Sequence, residues 1–193
     1  GLNITARLTQ GGHASPPAGA HMKEDLQMRR LILAALLPLL AAAAAPAAAA
    51  ADGIVGVGAP TSAILQAAVV PVGYDTIYVS GMTPPPLNPG APAGTPVQFG
   101  DTKTQTIGVL KRIEDVLKGQ GYTMGDVVMM RVYLVGDPAK GGGMDFAGMM
   151  EAYKQFFGTA EQPNKPARVT MQVAALVAPG MLSEIEVQAA KKK

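Results

Sequence analysis

The stretch 126 to 135, DVVMMRVYLV, constrains this chain more than any other. Its nearly continuous apolar character predicts a strand buried on both faces. The segments on either side of it carry helical spacing. Upstream, Asp101 or Thr102 can cap a helix running to about Lys118, with Ile107, Leu110, Ile113 and Leu117 on one face and Gly119 and Gly121 ending it. Downstream, beyond Gly141, Gly142 and Gly143, MDFAGMMEAYKQFF places Phe146, Met149, Met150, Tyr153, Phe156 and Phe157 on a second helical stripe, with Asp145 as its cap. A Met and Phe stripe of this kind reads as core rather than as a ligand box.

The remaining segments read as extended chain or loop. Residues 53 to 63 are small and look flexible, whereas AILQAAVVPVGYDTIYVSG reads as two strands around a glycine-containing turn at Val72 to Asp75. Pro84, Pro85, Pro86, Pro89, Pro92 and Pro96 make the next loop a stiff, extended surface segment. ARVTMQV and LSEIEVQAA close the chain as strands. The predicted order is β-β-α-β-α-β-β, an α+β fold with both helices on one face of a sheet. Residues 52–193 suit a single domain.

Before that domain, residues 28–51 read MRRLILAALLPLLAAAAAPAAAAA: two arginines, an apolar run, then small residues. This is the order of a signal peptide, with cleavage expected near Ala49 to Ala51 and a periplasmic or secreted product. A permanent membrane anchor is disfavoured by Pro38, Pro46 and the weakly hydrophobic alanines, so no membrane association is expected after cleavage. Residues 1–27 read as an upstream extension or cloning remnant. The leader also distorts the charge. Residues 1–51 hold Arg7, Lys23, Arg29 and Arg30 against Glu24 and Asp25, whereas 52–193 hold twelve basic and twelve acidic residues. The basic character of the whole chain is therefore no footprint of a nucleic-acid face, and no nucleic-acid partner is expected.

Both histidines, His13 and His21, lie in the leader, and cysteine is absent. Residues 52–193 thus cannot build a Ser-His-Asp triad, a cysteine nucleophile or an ordinary zinc site. No P-loop or dinucleotide fingerprint occurs either. Chemistry must come from Arg, Lys, Asp, Glu, Tyr, hydroxyls or backbone groups. In the strand after Pro166, Arg168, Thr170 and Gln172 share one face and Val169, Met171 and Val173 the other; in the last strand Glu184, Glu186 and Gln188 share a face. If these strands are neighbours, an arginine and one or two carboxylates converge. The plain alternative is a structural ion pair or a solvated sheet face. Arg131, inside the apolar run, reads as a snorkelling edge or interface charge, and Lys191, Lys192 and Lys193 as a solvated tail.

YVSGMTP at 78–84, Gln105 in the first helix, DVVMMRVYL, FAGMMEAYKQFF, PARVTMQVAAL and EIEVQAA occur in one fixed order. Together they resemble the RidA family, the reactive intermediate deaminases also called YjgF-type, over about residues 59 to 190. The resemblance implies a chorismate-mutase-like fold and a homotrimer with clefts between subunits. It further implies hydrolysis of small enamine or imine carboxylic acids, such as 2-aminoacrylate, to 2-oxo acids and ammonium, with no cofactor and no metal. By the same resemblance Arg168 holds the substrate carboxylate and Glu184 orders the attacking water. Ser80 and Gly81 line the cleft, and Thr170 stands where many members have cysteine. Two positions depart from the family: Ile64 replaces a tyrosine and Met150 an asparagine, while Tyr74 in the turn is no substitute for that tyrosine. A more apolar cleft follows, which keeps open a carboxylate-binding protein without turnover; an endoribonuclease or translation inhibitor is the weaker alternative. N-terminal sequencing of protein recovered from its native cell is expected to read from a residue near Ala50 to Asp52; a start at or before Met28 would remove the exported reading.

Overall fold

Backbone hydrogen bonding sorts residues 53–193, the part of the chain that the computed structural model describes, into two sheets. The proposed signal peptide and upstream extension lie outside the described residues. Strand β1 (Val55–Val57) pairs antiparallel with β2 (Ala67–Val69). The main sheet contains β3 (Tyr74–Met82), β4 (Val127–Val135), β5 (Ala167–Val173) and β6 (Ser183–Lys192) in the order β3-β6-β4-β5. Only the β4–β5 pair is parallel. Helices α1 (Thr102–Gly119) and α2 (Phe146–Tyr153) complete the α+β fold.

Both helices begin where a carboxylate can cap them. The Asp101 side chain accepts from the Thr104 backbone N–H at 2.8 Å, and Asp145 accepts from that of Gly148 at 3.0 Å. A Cβ at position 148 would press on the Asp145 carboxylate and shift the cap. Helix α1 buries Val109, Leu110, Ile113 and Leu117 completely. Helix α2 is shorter than its apolar stripe predicts. After Tyr153 the chain tightens, Phe156 N–H donating to Tyr153 O at 3.0 Å, and Gly158 leaves with φ 69°. Phe157 is nevertheless buried, stacked on Tyr153 with ring centroids 4.9 Å apart.

Strand β4 corrects the expectation of burial on both faces. Met130, Val132 and Leu134 are fully buried on the side that carries the helices, but Arg131 and Tyr133 lie half-exposed on the other. Among the described residues that second face carries no helix, and its polar side chains come from β4 and β6. The small sheet corrects two more expectations. Residues 55–57 form a strand where a flexible stretch is predicted, and β2 pairs with β1 rather than with β3. Leu65 bridges Ala167, its N–H donating to Pro166 O at 3.0 Å, so this segment begins beside β5. β3 lies at the opposite edge of the main sheet and pairs with β6, not with β2.

One buried polar group fastens α1 to the loops around it. Gln105 donates from Nε2 to Gly100 O at 2.8 Å and to Gly180 O at 2.9 Å, and its Oε1 accepts from Leu182 N–H at 2.7 Å. Gln105→Met keeps the length but leaves a buried N–H without its partner. A loss of at least about 2 kcal/mol is expected, read as a lower denaturation midpoint at unchanged slope.

Candidate active site

Arg168 pairs with Met130 across the β4–β5 ladder and therefore points to the helix-bearing face. There α2 surrounds its guanidinium. The Cζ atom lies 4.4 Å from the Tyr153 ring centroid and 5.8 Å from that of Phe146. Nη2 is 3.1 Å from Met150 Sδ and Nη1 4.0 Å from Met149 Sδ. A thioether is a weak acceptor, and no carboxylate of the described residues comes within ion-pair distance. The Nε atom is buried without a hydrogen-bond partner, and so is Thr170 Oγ1, two residues along the same strand face. Burial lowers the guanidinium's pKa from the ordinary arginine value, with Tyr153 acting in the opposite direction. Burial also pushes the Tyr153 phenol up to about 12, so it stays neutral and donates to Ala63 O at 3.0 Å. Next to that carbonyl, Ile64 packs partly buried against the core.

A second cluster forms around a bulge in β3. Val79 pairs with Val187 and Met82 with Ile185, so Ser80 and Gly81 together oppose the single residue Glu186. The Glu184 side chain folds against this bulge, where any Cβ at position 81 would collide with its carboxylate. The two glutamates of EIE differ in what they touch. Glu186 Oε1 accepts from Arg131 Nη1 at 2.8 Å and from the Tyr133 hydroxyl at 3.3 Å. The Glu184 side chain makes no hydrogen bond or ion pair with the described residues. Arg131 is therefore an ion-paired residue on an inner strand, not an edge charge.

The sequence-predicted residues thus fall into two groups. Ser80, Gly81 and Glu184 come together, and Arg168 and Thr170 share one strand face, but a single chain does not unite the groups. β4 separates β5 from β6, and Glu184 pairs with Tyr133 on the face opposite to Arg168. Cavities of about 210 and 480 Å³ open beside Lys165, and one of about 190 Å³ is lined by Ser80, Tyr78, Arg131 and Glu186. None of these three includes Arg168 or Glu184. Tyr74 opens β3 opposite Lys192, on the edge strand remote from β5. The sequence reading missed Phe146, Met149 and Tyr153 as the surroundings of Arg168. Their helical stripe was legible, but a stripe does not tell which strand it covers.

The family model described as endoribonuclease L-PSP matches residues 59–191. The chain belongs to this family, the RidA/YjgF group. Among curated family members, a RutC family protein of Pyrococcus horikoshii is 40% identical over 93 residues, which are 48% of this chain and 65% of that protein. One of Pyrococcus abyssi is 35% identical over 100 residues, 52% of this chain and 67% of the other. The aligned part thus spans just under two thirds of the first of these two. A Rid-family protein of unknown function from Yersinia pestis superposes with a TM-score of 0.53 at 23% identity, covering 72% of this chain and 99% of that one, a likeness of fold. The mixed sheet with two helices on one face is the fold of this family.

The contact between Gly81 and Glu184 is open to direct measurement. Gly81→Ala displaces the flexible end of Glu184 and is expected to cost about 1 kcal/mol. On a Glu184→Ala background the same change should cost much less, a coupling that a double-mutant cycle by thermal or denaturant unfolding reads directly.

Proposed function

We propose that this chain is a hydrolytic deaminase of small enamine and imine carboxylic acids, working in clefts between the subunits of a homotrimer. One observation carries the reading: Arg168 is a desolvated cation whose side-chain neighbours are rings and thioethers, with no carboxylate of the described residues beside it. A guanidinium binds a carboxylate through two parallel hydrogen bonds and keeps its charge at any physiological pH. The unpartnered Thr170 hydroxyl stands on the same strand face to assist. Glu184, free of Arg131 and beside the Ser80–Gly81 bulge, suits a carboxylate that holds and deprotonates water. Because the two groups occupy opposite faces of one sheet, a small ligand can touch both only if another copy of the chain supplies one of them. This supports a shared cleft.

The reaction follows from these roles. Arg168 anchors the acid of the imine form, and water held by Glu184 adds to the C=N carbon. The proton it releases is returned to nitrogen, and the resulting carbinolamine expels ammonia as its hydroxyl becomes the 2-oxo group. Imines hydrolyse slowly unaided, so orientation and one held water molecule supply what the step needs. The leader at residues 28–51 favours action in the periplasm or outside the cell.

A second reading, carboxylate capture without turnover, draws on Met150 and Ile64. A thioether contacts the guanidinium, and an alkyl chain follows Ala63, at positions where the family resemblance implies an asparagine and a tyrosine. An RNA-cleaving role is weaker, because the equal numbers of basic and acidic residues over 52–193 do not suit a phosphate-tracking groove.

With enzymatically generated 2-iminopropionate as substrate, Arg168→Ala and Glu184→Gln are each expected to lower kcat/KM by about 100-fold or more. Equal rates for both variants and the wild type would reject catalysis at this site. Light scattering checks the assembly, with a trimer expected and a monomer contradicting the shared cleft.

A further inference from the structure

Arg131 and Arg168 hold their charges in different ways. Arg131 has a carboxylate partner, Glu186, at 2.8 Å on the open face of the sheet. Arg168, more confined beneath α2, has none among the described residues, and instead lies over the Tyr153 ring with Phe146 farther off. A buried cation without compensation is costly, so the ring face must do part of what a carboxylate does elsewhere. The negative face of an aromatic ring attracts a cation from above without accepting any of its in-plane N–H bonds. A carboxylate in the same place would take those N–H groups and exclude an incoming acid. Tyr153 is also held in position: Phe157 stacks on it, its hydroxyl is tied to Ala63 O, and it is almost fully buried.

We propose that Tyr153 is a positioning residue whose ring balances the charge of Arg168 without taking its in-plane N–H groups, so that a substrate carboxylate competes for them only with weakly accepting thioethers. Met149 and Met150 extend this role, since their thioethers fill the space beside Nη1 and Nη2 but accept only weakly. The inference rests on the reading of Arg168 as the carboxylate anchor. It adds that the anchor works because its neighbours are rings and thioethers instead of acids.

Pyruvate, the stable product of 2-iminopropionate hydrolysis, is the probe, with affinity measured calorimetrically on the full chain. Tyr153→Leu is expected to weaken pyruvate binding about 3- to 10-fold, because a guanidinium no longer held over the ring must be ordered when the acid binds. Tyr153→Phe, which keeps the ring and loses only the hydroxyl, should recover most of that loss. In turnover the Leu variant should act on KM rather than on kcat, because the ring supports ground state and transition state alike. Equal losses for Leu and Phe, or no loss for Leu, would overturn the proposal. Should Tyr153→Leu fail to fold, Met150 provides the test at a site that is not fully buried. Met150→Glu places an internal counter-ion beside Nη2 and should weaken pyruvate at least tenfold more than Met150→Gln does; parity between the two would overturn the proposal. Arg168→Ala separates the levels of argument. If it binds pyruvate as the wild type does, the carboxylate-anchor reading itself falls. If it loses binding while the Tyr153 variants tie, only the role of the ring falls.

Discussion

A pleated strand presents its side chains alternately to two sides, and in this sheet only one side carries helices. Everything about the candidate site follows from that alternation. Met130, Val132 and Leu134 go to the helices, and the same parity carried across the β4–β5 ladder sends Arg168 and Thr170 there too. The opposite parity sends Arg131, Tyr133, Glu184 and Glu186 to the uncovered side. A slip of one residue in either ladder would exchange these sets. The apolar residues that α1 and α2 bury fix the register, so the placement of the polar groups comes from core packing.

On the proposed reading, the uncovered side is where a second copy of the chain would dock. It holds an ion pair and a phenol on the inner strands, together with Val169 and Met171, both more than a third exposed. Burying the Arg131–Glu186 pair against another copy would contribute little net energy, because desolvation offsets attraction, but would penalise misaligned docking. Apolar area would supply the affinity and the ion pair the alignment. On the proposed reading this places Ser80, Gly81 and Glu184 next to the contact that completes the site.

Much of this was legible in the sequence, and what was not has identifiable causes. The two helices follow from their periodicity and from Asp101 and Asp145, because a cap and an apolar stripe are local properties. The strands at 167–173 and 183–192 follow from alternation in the same way. The pairing of β2 with β1 was not legible: it depends on the segment around Leu65 starting beside β5, a contact a hundred residues distant in the chain. The Val and Met that dominate β4 predict a strand covered twice, although Arg131 and Tyr133 already mark its open side. Arg168 was legible as an unusual charge at the mouth of an apolar strand. Its surroundings were not, since Tyr153 and Met149 look like any core stripe until the sheet order puts β5 beneath them. The expected meeting of Arg168 with the glutamates assumed neighbouring strands, and the intervening β4 keeps them apart within one chain.

The bulge at Ser80 and Gly81 has an effect beyond making room for a carboxylate. An extra residue in one strand advances the zigzag by half a period, so positions after it point opposite to where simple counting would put them. Counting by twos from Tyr78 would leave Met82 in solvent; instead it pairs with Ile185 and packs against the core. The proline-rich loop that follows therefore departs with its first anchor already seated inside. Shortening this strand by one residue would unseat that anchor and, in the same stroke, close the niche in which Glu184 rests.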